Sequence, residues 1–418
     1  MDAPTERIPT DRSIGLSKET IECMRRSHEK LVSHSGFSKI NEEAPRLFSG
    51  AGIVTTAGGS YFPPLLLNIR MLRRTNSTLP VQVFLRRNEY DETICETVLP
   101  ELNAACLVID DYLRPDHPVE LGNFQLKVFS ILFSIFEKIL FLDSDNVPVY
   151  DPAELLYNEP FVSRGFVSWP DFWIATEDPA FYTIAGLDGF PKGMPGKSSE
   201  AGQLLVNKAT HLQTLILAAY YNVYGPDYYY YMFTQGADGE GDKETFLAAA
   251  IVLGASFYRV KHDVEIGGKG TYGGQYDGTS MLQFHPGDEY MNVRSGHPEK
   301  EPRLLFIHAH LPKMDVGGLV TNPILVDEKR VRIWGPAEGM VKMTGQDVEK
   351  AAWQEMVVLA CEYQNKVSQF RELENLCAGA QEHYKDVFDK SATFGNGTPS
   401  SQRGVGLQNH AGDGPGNG

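Results

Sequence analysis

Short apolar segments alternate with longer segments of helical periodicity between about residue 50 and residue 145. The apolar segments predict strands buried on both faces: GIVTTA, VQVFLR, ACLVID and ILFLD. The intervening segments predict helices: YFPPLLLNIRMLRR, DETICETVLPEL and GNFQLKVFSILFSIFEK. Alternation of this kind indicates βαβ units, so we predict an α/β fold with a mainly parallel central sheet flanked by helices.

The later part of the chain continues this pattern less regularly. Further strands are predicted at GFVSW, GQLLVN and RLLFIHAH, and further helices at THLQTLILAAYYNVYG and DKETFLAAAIVLG. One long helix is predicted from VEKAAWQEMVVLACEYQNKVSQFRELENL near the end of the chain. The sequence thus divides into an N-terminal helical extension (1–48), a main domain (49–345), a C-terminal helix packed on that domain (346–390) and a Gly-rich tail expected to be disordered (391–418).

Composition and charge restrict the function. The chain of 418 residues has 38 basic and 54 acidic side chains and a net charge of −16, which argues against a general nucleic-acid binder. Its most apolar stretch, VFSILFSIFEKILFL, is too short for a bilayer helix and is broken by Glu137 and Lys138. The N-terminus lacks the apolar core of a signal peptide, so we expect the chain as written to be soluble.

The five cysteines are dispersed, and no Cys-x-x-Cys pair occurs. A zinc knuckle or a redox motif is therefore not expected. Cys95 and Cys106 are close enough in sequence to form a disulfide, but we expect two ordinary buried cysteines.

The first strand–helix turn, GIVTTAGGSY, lacks the G-x-G-x-x-G fingerprint of dinucleotide-binding folds. Its small residues would still let the backbone approach a ligand. Thr55 and Thr56 offer hydroxyl groups there, and Gly58 and Tyr61 follow them. The turn therefore suits a nucleotide, although a simple tight turn explains it equally well.

The segment ILFLDSDNVPVYDP carries two carboxylates, Asp143 and Asp145, directly after a buried strand. Ligands of open α/β sheets lie beyond such strand ends. In an extended chain, residues two apart point the same way, and paired carboxylates favour a cation between them. We therefore predict a Mg²⁺ or Mn²⁺ site that clamps a diphosphate, the alternative being two solvated caps.

Two classes of enzyme place Asp-x-Asp after an apolar strand. Haloacid-dehalogenase-type phosphohydrolases carry it on the first strand of the core, whereas about 90 residues of strand–helix units precede it here. Nucleotide-sugar glycosyltransferases of the GT-A fold carry it after several such units. The order of elements favours the second class.

Five stretches resemble the fungal α-mannosyltransferases of glycosyltransferase family 71, Golgi enzymes that extend or branch mannan side chains. They are GIVTTAGGSYFPPLLLNIRMLRRTNSTLPVQVFL, FQLKVFSILFSIFEKILFLDSDNVPVYDPAELL, VSWPDFW, GEGDKETFLAA and HAHLPKMD. The resemblance implies a GT-A catalytic domain, GDP-mannose as donor, Mn²⁺ as cofactor (Mg²⁺ being possible) and retaining transfer to a mannose hydroxyl. It also implies the Golgi lumen, with membrane contact only through an anchor that we do not expect in the chain as written.

The resemblance adds partners for the metal and the diphosphate. A late histidine often completes the metal shell of GT-A enzymes, so His308 and His310 are both candidates, with His308 preferred. Lys127, just before the metal strand, is the expected contact of the diphosphate or nucleotide. Ser144 and Lys313 are further candidates for donor binding.

Candidates for the chemical step and for the acceptor lie further along. Retaining GT-A enzymes place an acid or amide beside the reacting sugar, which here favours Asp242 and then Glu244, although Asp242 also suits a helix cap. In WPDFW, the aromatic faces of Trp169 and Trp173 and the carboxylate of Asp171 are suited to an acceptor sugar; buried core aromatics are the alternative.

These observations predict a retaining α-mannosyltransferase that uses GDP-mannose, Mn²⁺ and a mannose-terminated glycan. A GT-A transferase of UDP-glucose or UDP-galactose is the nearest alternative. The phosphohydrolase and a non-catalytic, metal-dependent sugar-binding domain are more distant ones. The linkage, α-1,2 or α-1,3, is left open by the sequence.

Overall fold

The computed structural model describes residues 13–114, 121–122, 124–189, 191, 196–237, 239–270 and 276–389. The predicted tail at 391–418 lies outside the described residues. The strands are β1 Ala51–Thr56, β2 Val81–Leu85, β3 Ala104–Val108, β4 Lys138–Leu142, β5 Asn146–Pro148, β6 Phe166–Ile174, β7 Lys197–Asn207, β8 Tyr258–Arg259, β9 Glu265–Gly270, β10 Tyr276–Phe284, β11 Leu304–His308, β12 Leu325–Val326 and β13 Lys329–Arg330.

The helices pack around these strands. They are α1 Lys18–Val32, α2 Ser35–Leu47, α3 Phe62–Arg74, α4 Leu99–Glu101, α5 Gln125–Phe133, α6 Phe161–Arg164, α7 Ala180–Ile184, α8 Lys208–Val223, α9 Tyr230–Thr234, α10 Lys243–Val252, α11 Pro286–Arg294, α12 Val316–Thr321, α13 Ala337–Thr344, α14 Val348–Glu362 and α15 Leu376–Val387. Among the described residues, no helix is both long enough and apolar enough to cross a membrane.

The main sheet has seven strands in the order β3-β2-β1-β4-β7-β6-β8. The pairs β2–β3, β1–β2, β1–β4 and β6–β8 are parallel, and β7 runs antiparallel to both of its neighbours. All seven predicted strands are present as β1, β2, β3, β4, β6, β7 and β11. The predicted α/β fold, with a mainly parallel sheet flanked by helices, is confirmed.

Two apolar cores hold helices against the two faces of this sheet. On one face, Leu65 and Leu66 of α3 pack with Trp353 of α14 and with the sheet. On the other face, Val128 of α5 packs with helices α8 and α10. Because β2 and β4 lie between these layers, their residues are almost all buried, which explains their continuous apolar sequences.

A second, antiparallel sheet was not predicted and lies beside the main one. Its order is β5-β11-β10-β9. The short strand β5 begins directly after Asp145, and its residue Asn146 pairs with His308 at the end of β11. The second sheet therefore brings the end of β11 to the end of β4.

Two helix predictions differ from the structure. Helix α5 ends at Phe133 instead of continuing to Lys138, because Ser134 has extended backbone and its Oγ donates to Gln82 Oε1 at 2.7 Å. The long C-terminal pattern is divided into α14 and α15, which pack on each other.

The expectation of two ordinary cysteines at positions 95 and 106 was wrong. Cys95 and Cys106 form a disulfide, with their Cα atoms 5.4 Å apart. A second disulfide joins Cys361 at the end of α14 to Cys377 in α15. It ties together the two helices that the sequence pattern had merged.

Candidate active site

The Asp-x-Asp motif forms a tight turn at the end of β4. The backbone N–H of Asn146 donates to Asp143 O at 3.0 Å, and the N–H of Asp143 donates to Gly202 O of β7 at 2.9 Å. Asn68 Nδ2 of α3 donates to the same Asp143 carbonyl at 3.0 Å. The two carboxylates therefore converge because of a turn fixed by α3 and β7, and not because of the extended backbone that we expected.

His308 completes a cluster with these carboxylates. Its Nε2 lies 3.2 Å from Asp145 Oδ1 and 4.0 Å from Asp143 Oδ2. The pairing of β5 with β11 places it there, and the N–H of Ala309 donates to Asp145 O at 2.9 Å. His310 lies outside the cluster, and the centres of the two imidazole rings are 5.9 Å apart.

The cluster fits a divalent cation. One ligand atom from each of Asp143, Asp145 and His308 lies within 4.8 Å of the other two. Carboxylate oxygens suit hard cations such as Mg²⁺ and Mn²⁺, and a single imidazole nitrogen is compatible with Mn²⁺. The set leaves further coordination positions open for a ligand or water.

Two lysines contact the carboxylates, one at each aspartate. Lys127 Nζ of α5 lies 3.2 Å from Asp143 Oδ1 and donates to Ala201 O at 2.7 Å. Lys313 Nζ donates to Asp145 Oδ2 and lies over the ring of Tyr61. These ammonium groups bring positive charge to the cluster, where a diphosphate needs it.

The charges in the cluster shift the pKa values of its members. Burial alone would raise the pKa of Asp145, but His308 and Lys313 hold it well below its ordinary value. Burial raises the pKa of Asp143, against the opposing charges of Lys127 and His308. Burial alone would lower the pKa of Lys127, but the neighbouring aspartates raise it above its ordinary value. Asp145 and Lys127 are therefore charged at neutral pH.

Asp242 lies next to this cluster. It directly precedes α10, but its side chain makes no capping hydrogen bond, so the cap alternative does not describe it. Its buried Oδ2 has no hydrogen-bond partner among the described residues and lies 3.6 Å from Lys127 Nζ. Burial raises the pKa of Asp242 to about 6.

An open cavity of about 1000 Å³ collects most of the predicted site residues. Those that line it are Thr56, Gly58, Tyr61, Lys127, Asp143, Ser144, Asp145, Asp171, Trp173, Asp242, His308, His310 and Lys313.

Three predicted site residues lie outside this lining. Trp169 is fully buried, and its Nε1 donates to Phe284 O at 2.9 Å. Glu244 Oε1 accepts from Ser198 Oγ and from the N–H of Ser199, at 2.6 Å each. Thr55, in β1, is buried.

Glu200 of β7 is a member of the site that sequence reasoning missed. Its Oε1 accepts from the N–H of Gly202 at 2.5 Å and lies 3.1 Å from His308 Nδ1, an approach too bent for a good hydrogen bond. Glu200 therefore faces Nδ1 of the His308 ring, whereas Asp145 faces Nε2. The only signal in the sequence was an acidic residue just before the apolar stretch GQLLVN.

Lys243 was also missed, although it adjoins the predicted Asp242. Its Nζ donates to Asp171 Oδ2 at 2.7 Å on the cavity wall. The sequence places these two residues 72 positions apart, so nothing in it pointed to the pair.

Fold and site together define an α/β protein with a candidate metal centre at the end of a central strand, inside a cavity rich in charged groups. Comparison with known families matches residues 50–195 and 187–285 to the family described as "Mannosyltransferase putative". The match covers more than half of the chain. The chain belongs to this mannosyltransferase family, as the resemblance predicted.

Curated relatives carry related names. The chain is 36% identical over 443 residues to alpha-1,2-mannosyltransferase MNN21 of Candida albicans, a match covering 88% of this chain and 66% of that protein. It is 42% identical over 284 residues to alpha-1,2-mannosyltransferase MNN24 of the same species (59% and 40% covered). It is 35% identical over 329 residues to alpha-1,2-mannosyltransferase MNN5 of Saccharomyces cerevisiae (66% and 56% covered). The chain spans about half the length of the curated relatives it matches.

Solved structures show only a distant likeness. Glycosyltransferase GlyE of Streptococcus pneumoniae matches with a TM-score of 0.34 and 14% identity, covering 51% of this chain and 45% of that one. Galactosyltransferase LgtC, solved with donor and acceptor sugar analogues, matches with a TM-score of 0.30 and 12% identity (50% and 73% covered).

Proposed function

We propose that this chain is a retaining α-mannosyltransferase, which moves mannose from GDP-mannose to a hydroxyl group of a mannose-terminated glycan. The observation that carries the proposal is the cluster of Asp143, Asp145 and His308 between two lysines, in a chain of a mannosyltransferase family. The names of the relatives favour the α-1,2 linkage. Retention follows because GDP-mannose is itself an α-glycoside and the product would be one as well.

The metal proposed for the cluster is Mn²⁺, with Mg²⁺ as the alternative. Asp143, Asp145 and His308 would hold it, and its charge would stabilise the leaving diphosphate. Because carboxylates dominate this set, a hard cation is the natural occupant. The open positions left by three protein ligands match the need to contact phosphate oxygens.

The chain's own residues would bind the donor around this centre. Lys127 and Lys313 are placed to contact the diphosphate and to balance the charge that develops on it. Thr56, Gly58 and Ser144, at the ends of β1 and β4, line the cavity where the nucleotide would lie. Tyr61 packs under Lys313 and would limit the access of water to the diphosphate.

The sugar and the acceptor would lie on the side of Asp242. Its carboxylate, buried beside Lys127, would face the anomeric carbon and stabilise the positive charge that develops there. Trp173, whose side chain is exposed at the cavity rim, would stack on the acceptor sugar. Trp169, Glu244 and Thr55 would support these groups from behind, since none of them lines the cavity.

The two disulfides support an oxidising compartment and hence the Golgi lumen as the place of action. Disulfides form and persist along the secretory pathway and are rare in the cytosol. Each bridge here closes a short loop, Cys95 to Cys106 and Cys361 to Cys377.

The test is a panel of nucleotide sugars incubated with the protein and α-mannobiose, with release of the nucleoside diphosphate as the readout. We expect GDP release from GDP-mannose alone, its loss in EDTA and its return with Mn²⁺. Turnover of UDP-glucose or UDP-galactose in place of GDP-mannose would refute the assignment of GDP-mannose as the donor. An α-anomeric proton in the NMR spectrum of the product, and no β-anomeric one, is the expected sign of retention.

Variants test the metal assignment separately. Asp143→Ala with Asp145→Ala should abolish transfer, because the cluster loses both carboxylates. Asp386→Ala, an exposed aspartate of α15 outside the cavity, is the matched control and should keep wild-type activity. Full activity in the double variant would show that the cluster is not the catalytic centre.

A further inference from the structure

The buried ion pair of Asp171 and Lys243 has no role in the function proposed above. Asp171 lies in β6 and Lys243 begins α10, and both line the cavity. Lys243 Nζ donates to Asp171 Oδ2 at 2.7 Å, with side chains only 11% and 8% exposed. Asp171 Oδ1 accepts from its neighbour's backbone, the N–H of Phe172, at 2.5 Å.

Stability alone does not explain a pair in this position. Removing two opposite charges from water costs about as much as their attraction returns, and an apolar pair of similar volume is often at least as stable. On the wall of a polar cavity, however, such a pair can bind a ligand through the hydrogen-bonding groups that the two side chains leave free. The ammonium group has three N–H donors, of which Asp171 takes one.

The backbone beside Lys243 is shaped to accommodate its ammonium group. Gly239 has a φ of +80°, and a Cβ built on it would lie 2.4 Å from Lys243 Nζ. Any residue but glycine at this position would strain the backbone and crowd the ammonium group. The loop before α10 therefore leaves room for Nζ at the edge of the cavity.

The pair lies one residue beyond the group proposed to face the anomeric carbon. Lys127 contacts both Asp143 and Asp242, so Asp242 is close to the metal cluster. Lys243 follows Asp242 directly. Asp242 lines the same cavity as the pair, and its buried Oδ2 lies 3.6 Å from Lys127 Nζ.

We propose that Asp171 and Lys243 form a subsite that binds hydroxyl groups of the donor's hexose. The proposal rests on the function proposed above. A hydroxyl group both donates and accepts, so the ammonium N–H groups can bind hydroxyl oxygens while the carboxylate accepts from a neighbouring hydroxyl. This assigns Asp171 to the donor sugar, whereas the sequence had suggested the acceptor. Lys243 thereby becomes a residue that determines donor specificity.

The test uses deoxy analogues of GDP-mannose, each lacking one hydroxyl of the hexose. The wild-type protein with Mn²⁺ should discriminate against at least one analogue by about 100-fold or more in kcat/KM, because a site built for a hydroxyl rejects a sugar without it. In Lys243→Met the same analogue should be transferred nearly as well as GDP-mannose. The affinity for GDP in the presence of Mn²⁺ should stay unchanged.

A second variant separates specificity from folding. Lys243→Met leaves Asp171 buried without its partner, whereas Asp171→Leu combined with Lys243→Met replaces the ion pair by an apolar pair. The double variant should fold and should show the same loss of discrimination. Lys269→Met is the matched control, since Lys269 pairs with Asp277 at 2.7 Å outside the cavity.

Each result decides between the two proposals. If the wild-type protein transfers mannose but the ranking of the analogues is unchanged in both variants, the subsite is wrong and the function stands. The same variants are also assayed with deoxy analogues of the acceptor, α-mannobiose. If they lose discrimination among these acceptor analogues instead, the pair binds the acceptor, and the inference is overturned. If the wild-type protein turns over no nucleotide sugar, the proposed function fails and the subsite fails with it.

Discussion

Gly202 offers a sharp test of the metal cluster, because it lies against His308 and against Glu200 beside it without being a ligand itself. A Cβ built on Gly202 would lie 2.5 Å from Glu200 Oε1 and 2.6 Å from His308 Nδ1. Since carbon atoms need about 3.4 Å or more in ordinary contact, Gly202→Ala should push the His308 ring away by about 1 Å. The backbone of His308 is held by its pairing with Asn146, so the ring must absorb most of this displacement.

The expected result is weaker metal binding by a folded protein. Changes in the groups that orient metal ligands typically reduce affinity by about 10- to 100-fold, which is about 1.4 to 2.7 kcal/mol. Isothermal titration of Mn²⁺ in the presence of GDP measures this affinity, and thermal unfolding checks the fold. Gly339→Ala in α13 is the control, because its Cβ would meet nothing within 4 Å. An unchanged Kd for Mn²⁺ in folded Gly202→Ala would refute the assignment of His308 as a ligand.

Three further predictions concern proton binding and the disulfides. Because burial raises the pKa of Asp242 to about 6, and the carboxylate is the form proposed to act, kcat/KM should fall about tenfold from pH 7 to pH 5. A flat profile over that range would contradict the role of Asp242. Burial raises the pKa of Glu349 from 4.5 to about 7, so this group favours the folded state below about pH 4.5 and loses about 3 kcal/mol of that contribution as the pH rises through 7. Urea unfolding at pH 5 and pH 8 should show this loss in the wild-type protein but not in Glu349→Gln. An equal change in the free energy of unfolding between the two pH values in both proteins would contradict this assignment of Glu349. Replacing Cys95 and Cys106 by serine should lower the free energy of unfolding by about 3 kcal/mol for the loop of 11 residues, and an unchanged urea midpoint would show that the bridge contributes little.

The first half of the fold was predictable because its local signals agree. Strands β1, β2 and β4 are buried along most of their length, since helices cover both of their faces, and each is followed by a turn rich in small or polar residues. The second sheet was not predictable in the same way. Strands β9 and β10 contain several glycines, which have low strand propensity, and strand β5 pairs with β11 across a long stretch of the sequence.

The candidate site shows the same division. Asp143 and Asp145 stood out because charged groups directly follow a buried strand. The physical reason given for their convergence was wrong, since a turn and not strand alternation brings them together. Glu200 and Lys243 were missed because a single acidic or basic residue carries no pattern of its own, and only the packing of β7 and α10 reveals their partners.

Trp169 shows why residue type alone is a weak guide to exposure. Tryptophan suits both a sugar platform and a core, and WPDFW contains both cases. Trp169 is fully buried, while Trp173, four residues on, is 46% exposed. The register of β6 against β7 shifts between Pro170 and Ile174, so simple alternation does not continue through this segment.

The pairing of β5 with β11 has a consequence for the order of folding. It joins Asn146 to His308, so the chain segment between them must be in place before the third ligand reaches the first two. Closing so long a segment is slow compared with forming local helices and turns. A chain that is still being synthesised, or one cut before β11, would have both carboxylates but no complete centre. The proposed cation site is therefore completed late, and its completion reports that most of the molecule has already folded.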